Sequence, residues 1–168
     1  QGADIFDKNL KNSIVNISKR KSVKVIHQTG EKNILNLSKF YSENNIENKI
    51  FSFDENFVNT IQQADLCITR AGASTLAELS VLNIPFIAVP LPTSKDNHQL
   101  ENALFYKNND CCWIIEQNHF ESEIEYFLNE IFEAKRSLLK KKENLKKLNY
   151  QNSWKNVNQK IIKTINEN

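Results

Sequence analysis

Short apolar runs of four to seven residues alternate with longer segments of helical period, and this alternation limits more than any other feature what the chain can fold into. It predicts βα units that build a parallel sheet flanked by helices. The strand candidates are Ser22 to Gln28, Lys49 to Phe53, Asp65 to Thr69, Pro85 to Val89 and Cys111 to Glu116. Most are rich in Val, Ile and Phe and lack polar alternation, as strands buried on both faces do. Ile5, Phe6, Leu10, Ile14 and Ile17 recur at spacings of three and four, which gives a first helix one apolar stripe, and Leu35, Phe40 and Tyr41 suggest a second. Further helices are expected at Asn56 to Gln63, Thr75 to Leu82, His98 to Asn108 and Glu121 to Phe132. A last helix is expected to carry Trp154, Val157, Ile161 and Ile165 on one face.

Composition narrows the function classes. With 168 residues, 40% of them hydrophobic and 25% charged, the chain can bury a core, and disordered or collagenous classes are excluded. A formal net charge of +2 is too small for the field that binding a phosphate backbone needs, so nucleic acid is not an expected partner. Asn83, Pro85, Pro90 and Pro92 break up the most hydrophobic stretch, leaving no run near the roughly 20 residues of a membrane-spanning helix. Cys67, Cys111 and Cys112 match neither a disulfide framework nor zinc spacing and read as reduced, buried thiols of a cytoplasmic protein. The basic segment from Lys135 to Lys147 reads as a solvated helix face, with contact to anionic lipid heads as the alternative. Only three glycines occur, so each is expected to mark special backbone geometry. The abundant Asn and Lys read as compositional drift. Because the chain begins at Gln1 and contains no methionine, it is expected to be a piece of something longer.

Two stretches could carry chemistry. Thr69-Arg-Ala-Gly-Ala-Ser-Thr-Leu-Ala-Glu78 leaves a buried strand and enters a helix, at the carboxyl end of the sheet where ligands of open α/β folds bind. Gly72 would let a ligand approach the backbone, and the N–H groups of Ala73, Ser74 and Thr75 would offer positive dipole ends to a phosphate, with a pyrophosphate fitting well. The spacing Thr75-x-x-Glu78 also fits a capping box, a purely structural alternative. The second stretch, Pro90 to Asn102, gathers amide and imidazole side chains at another helix start, and carboxamides suit sugar hydroxyls because both groups donate and accept. Here Asp96-x-x-Gln99 is again a capping box by pattern, and His98 alone would pass for a surface or cap histidine. No metal site is expected, because His27, His98 and His119 lie far apart with no partner at ligand spacing.

Together these stretches resemble the C-terminal half of the MurG family, bacterial glycosyltransferases that move N-acetylglucosamine from UDP onto the lipid-linked muramyl-pentapeptide precursor of peptidoglycan. Gln1-Gly2-Ala3 is similar to the end of the family's GGSQGA loop, and Val25-Ile-His-Gln-Thr-Gly30 to its HQSG or HQTG strand end. Ala64-Asp65 through Glu78 is similar to its AD…RxGAxTxxE segment, and Val89-Pro-Leu-Pro with Asp96-Asn-His-Gln99 and Asn102-Ala103 to its nucleotide-sugar loop.

The resemblance implies a Rossmann-like domain, the C-terminal half of a GT-B glycosyltransferase, in which residues 1–168 form the UDP-sugar-binding domain. It implies that Glu78 holds the ribose hydroxyls, that Ala73, Ser74 and Thr75 receive the phosphates, and that Phe53 and Asp54 frame the uracil. His98 and Gln99 would read the sugar. Gln1 and Arg70 align with further donor-site positions, although Arg70 suits phosphate contact and structural pairing equally, and His27 fits a motif whose job does not follow from charge or spacing. The implied donor is UDP-N-acetylglucosamine, used without metal or other cofactor in an inverting transfer. The lipid-linked acceptor and the catalytic base would belong to an N-terminal domain outside these residues. The family's first strand also falls before Gln1, so the strands starting at Ser22 and Asp65 are each expected to lack a neighbour. The implied location is cytoplasmic, peripheral at the inner face of the cell membrane. Two alternatives stay open on these residues: a glycosyltransferase acting on a diacylglycerol, and a non-catalytic UDP-sugar-binding subunit that needs a membrane partner.

Overall fold

The computed structural model describes residues 4–151 together with Asn156, Asn158, Gln159 and Lys163. Gln1 and the apolar face expected of Trp154, Val157, Ile161 and Ile165 lie outside the described residues. The elements follow one another as α1 (Asp4–Ser18), β1 (Lys24–Gln28), α2 (Ile34–Glu43), β2 (Glu47–Phe51), α3 (Phe57–Ile61), β3 (Cys67–Thr69), α4 (Ala73–Val81), β4 (Phe86–Ala88), α5 (His98–Asn108), β5 (Cys112–Ile114), α6 (Phe120–Glu133) and α7 (Lys135–Gln151). Every expected strand is present, and all pairings are parallel. β2 starts and stops two residues earlier than the apolar run suggested, because Asp54 turns the chain just beyond it by accepting from Lys49, Thr60 and the Asn56 N–H.

The strands fall into two groups. β1 pairs with β2, and separately β3, β4 and β5 form a three-stranded sheet in that order. Among the described residues, β1 pairs with β2 alone and β3 with β4 alone. Both line an apolar slot of about 550 Å³, to which α1 contributes Phe6, Leu10, Ile14 and Ile17.

Packing follows the period-two alternation of a strand buried on both faces. Phe86 and Ala88 of β4 join a core with Leu76, Leu79, Ala103, Cys112, Leu145 and Leu148, drawn from α4, α5, β5 and α7. Ile87 and the following Val89 face the other way, toward Leu10 and Ile17 of α1 and Phe120, Ile124, Leu128 and Ile131 of α6. β1 and α2 form a smaller cluster of Val25, Leu37, Tyr41 and Ile46.

The basic helix α7 docks on more than apolar contacts. Lys141 is buried, donates to Asp110 at 2.7 Å and lies 4.5 Å from the centre of the Trp113 ring. Asn144 donates to the Asp110 carbonyl, and Asn149 to the Ser80 carbonyl. The expectation of a solvated face therefore holds for exposed neighbours such as Lys142 and fails at Lys141, which burial and ion pairing make part of the interior.

The glycine expectation needs correcting too. Gly30 and Gly72 have φ of −68° and −67°, conformations open to any residue. Left-handed backbone falls instead to Asn45, Asn83 and Asp110, each just past a helix end, and to Asp96 and Asn97 before α5. Asn and Asp tolerate this region better than other side chains, so part of the asparagine excess substitutes for missing glycine.

Candidate donor site

Within each sheet the parallel register sets the carboxyl ends of the strands side by side, and the described candidates follow those ends. Phe53 and Asp54 come after β2, Arg70 after β3, and His98 and Gln99 open the helix that follows β4. Phe53 is 78% exposed, which leaves its ring available for contact with a ligand. The Asp54 carboxylate is committed elsewhere. Hydrogen bonds from the Lys49 ammonium, the Thr60 hydroxyl and the Asn56 N–H hold its pKa down to about 2. Its carboxylate thus braces the loop that presents Phe53.

Helix α4 begins at Ala73, two residues before the expected Thr75. Its N-cap is Gly72, which supplies no side-chain cap, and the first helical bond runs from the Leu76 N–H to the Gly72 carbonyl at 3.0 Å. The N–H groups of Ala73, Ser74 and Thr75 consequently have no intrahelical acceptor. The capping box suggested by Thr75-x-x-Glu78 does not form, because Thr75 is already inside the helix. Glu78 is exposed one turn on, and Arg70, Thr75 and Glu78 line the same slot.

Arg70 pairs structurally. Its Nη1 donates to the Val89 carbonyl at 3.2 Å and its guanidinium lies 5.4 Å from the centre of the Phe6 ring, where burial pulls its pKa down.

The second loop also departs from its capping pattern. Asn97, left-handed, is the N-cap of α5 and makes no side-chain cap bond. Gln99 reaches instead to the preceding loop, where its Oε1 accepts from the Leu91 N–H at 3.0 Å. That bond orients the amide, leaving Nε2 as the free donor. The exposed His98 bonds the Lys95 carbonyl through Nδ1 at 2.6 Å, and because a carbonyl only accepts, Nδ1 is the donor.

His27 belongs to a cluster that sequence reasoning missed. The buried Asp7 carboxylate accepts from His27 Nε2 at 2.9 Å, Thr29 Oγ1 at 2.6 Å and Asn33 Nδ2 at 2.7 Å. These bonds fasten the first turns of α1 to the carboxyl end of β1. Burial lowers the His27 pKa, and the Asp7 charge offsets only part of that shift. The three thiols are free, and burial pushes Cys67 and Cys112 up to about 12 and Cys111 up to about 11. Among the described residues no group of three or more His, Cys, Asp or Glu side chains could hold a metal ion. No described helix is long and apolar enough to cross a membrane.

The fold is a Rossmann-like α/β domain of the GT-B glycosyltransferase type. It superposes on the crystal structure of MurG from Acinetobacter baumannii with a TM-score of 0.76 over 87% of this chain and 42% of that one, at 24% sequence identity. Residues 1–160 match the model of the glycosyltransferase family 28 C-terminal domain, and the chain belongs to that family. It is 46% identical over its whole length to the UDP-N-acetylglucosamine–N-acetylmuramyl-(pentapeptide) pyrophosphoryl-undecaprenol N-acetylglucosamine transferase of Pelagibacter ubique, covering 48% of that protein. An enzyme of the same name from a Sulfurovum species is 37% identical over 73% of this chain, which covers 36% of it. The chain thus spans about half the length, or less, of these relatives.

Proposed function

We propose that this domain binds UDP-N-acetylglucosamine as the donor half of an inverting transferase that passes N-acetylglucosamine to the lipid-linked muramyl-pentapeptide of peptidoglycan synthesis. The observation that carries the reading is the start of α4. There, three N–H groups without intrahelical acceptors follow a side-chain-free N-cap at the carboxyl end of β3, one turn from an exposed carboxylate. Pyrophosphate suits the N–H groups of Ala73, Ser74 and Thr75, and a carboxylate at Glu78 accepts from two ribose hydroxyls at once. The names of the relatives support the choice of donor and acceptor.

In this reading Phe53 stacks near the uracil, and Gln99 Nε2 donates to a sugar oxygen while His98 reads a sugar hydroxyl. During transfer, charge builds on the departing UDP. The α4 dipole and its N–H groups stabilise that charge in the role a cation plays elsewhere, so no metal is needed. The acceptor, the catalytic base and contact with the inner face of the cell membrane fall to the rest of the complete enzyme.

Calorimetry with UDP and UDP-N-acetylglucosamine in EDTA tests the reading. Binding in EDTA is expected. Glu78→Gln should weaken it by roughly 1 to 3 kcal/mol, the range for hydrogen bonds to charged groups, with melting temperature nearly unchanged. Binding only with magnesium or manganese, or a lower melting temperature with full UDP affinity, would refute it.

A further inference from the structure

The loop leading into α4 has no cap of its own, yet its peptide planes decide where the N–H groups of that helix aim. Its fastening comes from the neighbouring β4–α5 unit. Asn102, on the second turn of α5, donates from Nδ2 to the carbonyl of the fully buried Ala71 at 3.0 Å. That carbonyl belongs to the peptide whose N–H is Gly72, so the bond sets the plane immediately before the helix. Asn102 also lies three residues after Gln99, on the same face of α5. Gln99 in turn holds the Leu91 N–H, and Arg70 holds the Val89 carbonyl. Three side chains thus tie the β3–α4 loop, the β4–α5 loop and the first turns of α5 into one block.

We propose that Asn102 is a positioning residue. It holds the α4 N–H cradle in register with the first turn of α5, so that phosphate and sugar are met by one preorganised surface. The inference rests on the donor-site reading, and it assigns a part to a side chain that itself touches no nucleotide.

The test compares two ligands that differ only in phosphate. Asn102→Leu keeps similar bulk without the donor, and Asn102→Ala serves as a second variant should the first fold poorly. In the full-length protein, Kd for UDP by calorimetry should rise about tenfold, as for one lost orienting hydrogen bond, while Kd for uridine by NMR titration stays unchanged. A purely structural bond would lower the melting temperature and weaken both ligands alike, and that result, or unchanged UDP affinity, overturns the proposal. Absence of UDP binding in the unsubstituted protein would instead bring down the donor-site reading itself.

Discussion

The two sheets are built on different principles. The three-stranded sheet is buried between helices on both faces, with apolar side chains alternating up and down through Phe86, Ile87, Ala88 and Val89. The β1–β2 pair has only a small apolar cluster and is fastened at its carboxyl end by polar networks, one around Asp7 and one around Asp54. Apolar burial is non-directional and supplies stability, whereas a hydrogen-bonded carboxylate fixes the direction of its partners. The larger sheet therefore acts as the platform, and the smaller one is positioned relative to it by bonds that specify geometry.

The largest effect should come from joining the two. Among the described residues, the edges of β1 and β3 that line the slot of about 550 Å³ have no strand partner, and apolar side chains there such as Phe6, Leu66 and Ile68 are only half-buried. α1 lines this slot through Phe6, Leu10, Ile14 and Ile17, and its start is tied to the carboxyl end of β1. A segment of about ten residues placed before Gln1, its first half rich in Val and Ile, has the length to enter as a parallel strand. The melting temperature should then rise by at least about 5 °C, and hydrogen exchange should slow most in β1 and β3. Unchanged exchange in those two strands would mean that the slot does not accept a strand.

A smaller effect is expected from the polar fastening. Asp7→Asn keeps the shape but removes the charge and half the accepting capacity, leaving buried donors among His27, Thr29 and Asn33 without a partner. The cost should be about 1 to 3 kcal/mol in urea unfolding. Because the contacts are confined to α1, β1 and the turn after it, exchange should quicken in β1–β2 and stay slow in β4. An equal loss of protection in both sheets would erase the distinction between platform and positioned pair.

Sequence made the platform legible because apolar periodicity reports burial directly. The Val, Ile and Phe runs located all five strands, and the strand-to-helix stretches at Arg70 and His98 fell at the carboxyl ends where they were expected. The positioning bonds were not legible. His27 stood out as part of a motif, but its partner Asp7 lies 20 residues away on a helix whose visible signal was an apolar stripe. Asn102 was visible as a motif residue, yet nothing in its spacing points to a carbonyl 31 residues earlier. Both capping boxes misled for a related reason. A Thr or Asp three residues before Glu or Gln fits a helix start, but α4 starts earlier on a glycine, and Gln99 finds a better-placed N–H in the loop behind it.

The smallest effect concerns pH, and it isolates one group of the positioned pair. His27 is buried and its pKa lies below the ordinary histidine value, so the folded state takes up its proton less readily than the unfolded chain. The sign follows from linkage. Where the unfolded state binds more protons, stability rises with pH, so the contribution of neutral His27 is complete above about pH 6.5 and is lost as pH falls from there toward the lowered folded value. Melting temperature should therefore decline between about pH 7.5 and 5.5. His27→Gln places a non-titrating amide N–H near the position of Nε2, so it can still donate to Asp7 while removing the proton equilibrium. The variant should flatten the decline and leave the melting temperature at the alkaline end close to that of the parent. A decline that persists unchanged would assign it to other groups, and a decline that steepens would mean that the Asp7 charge outweighs burial at His27.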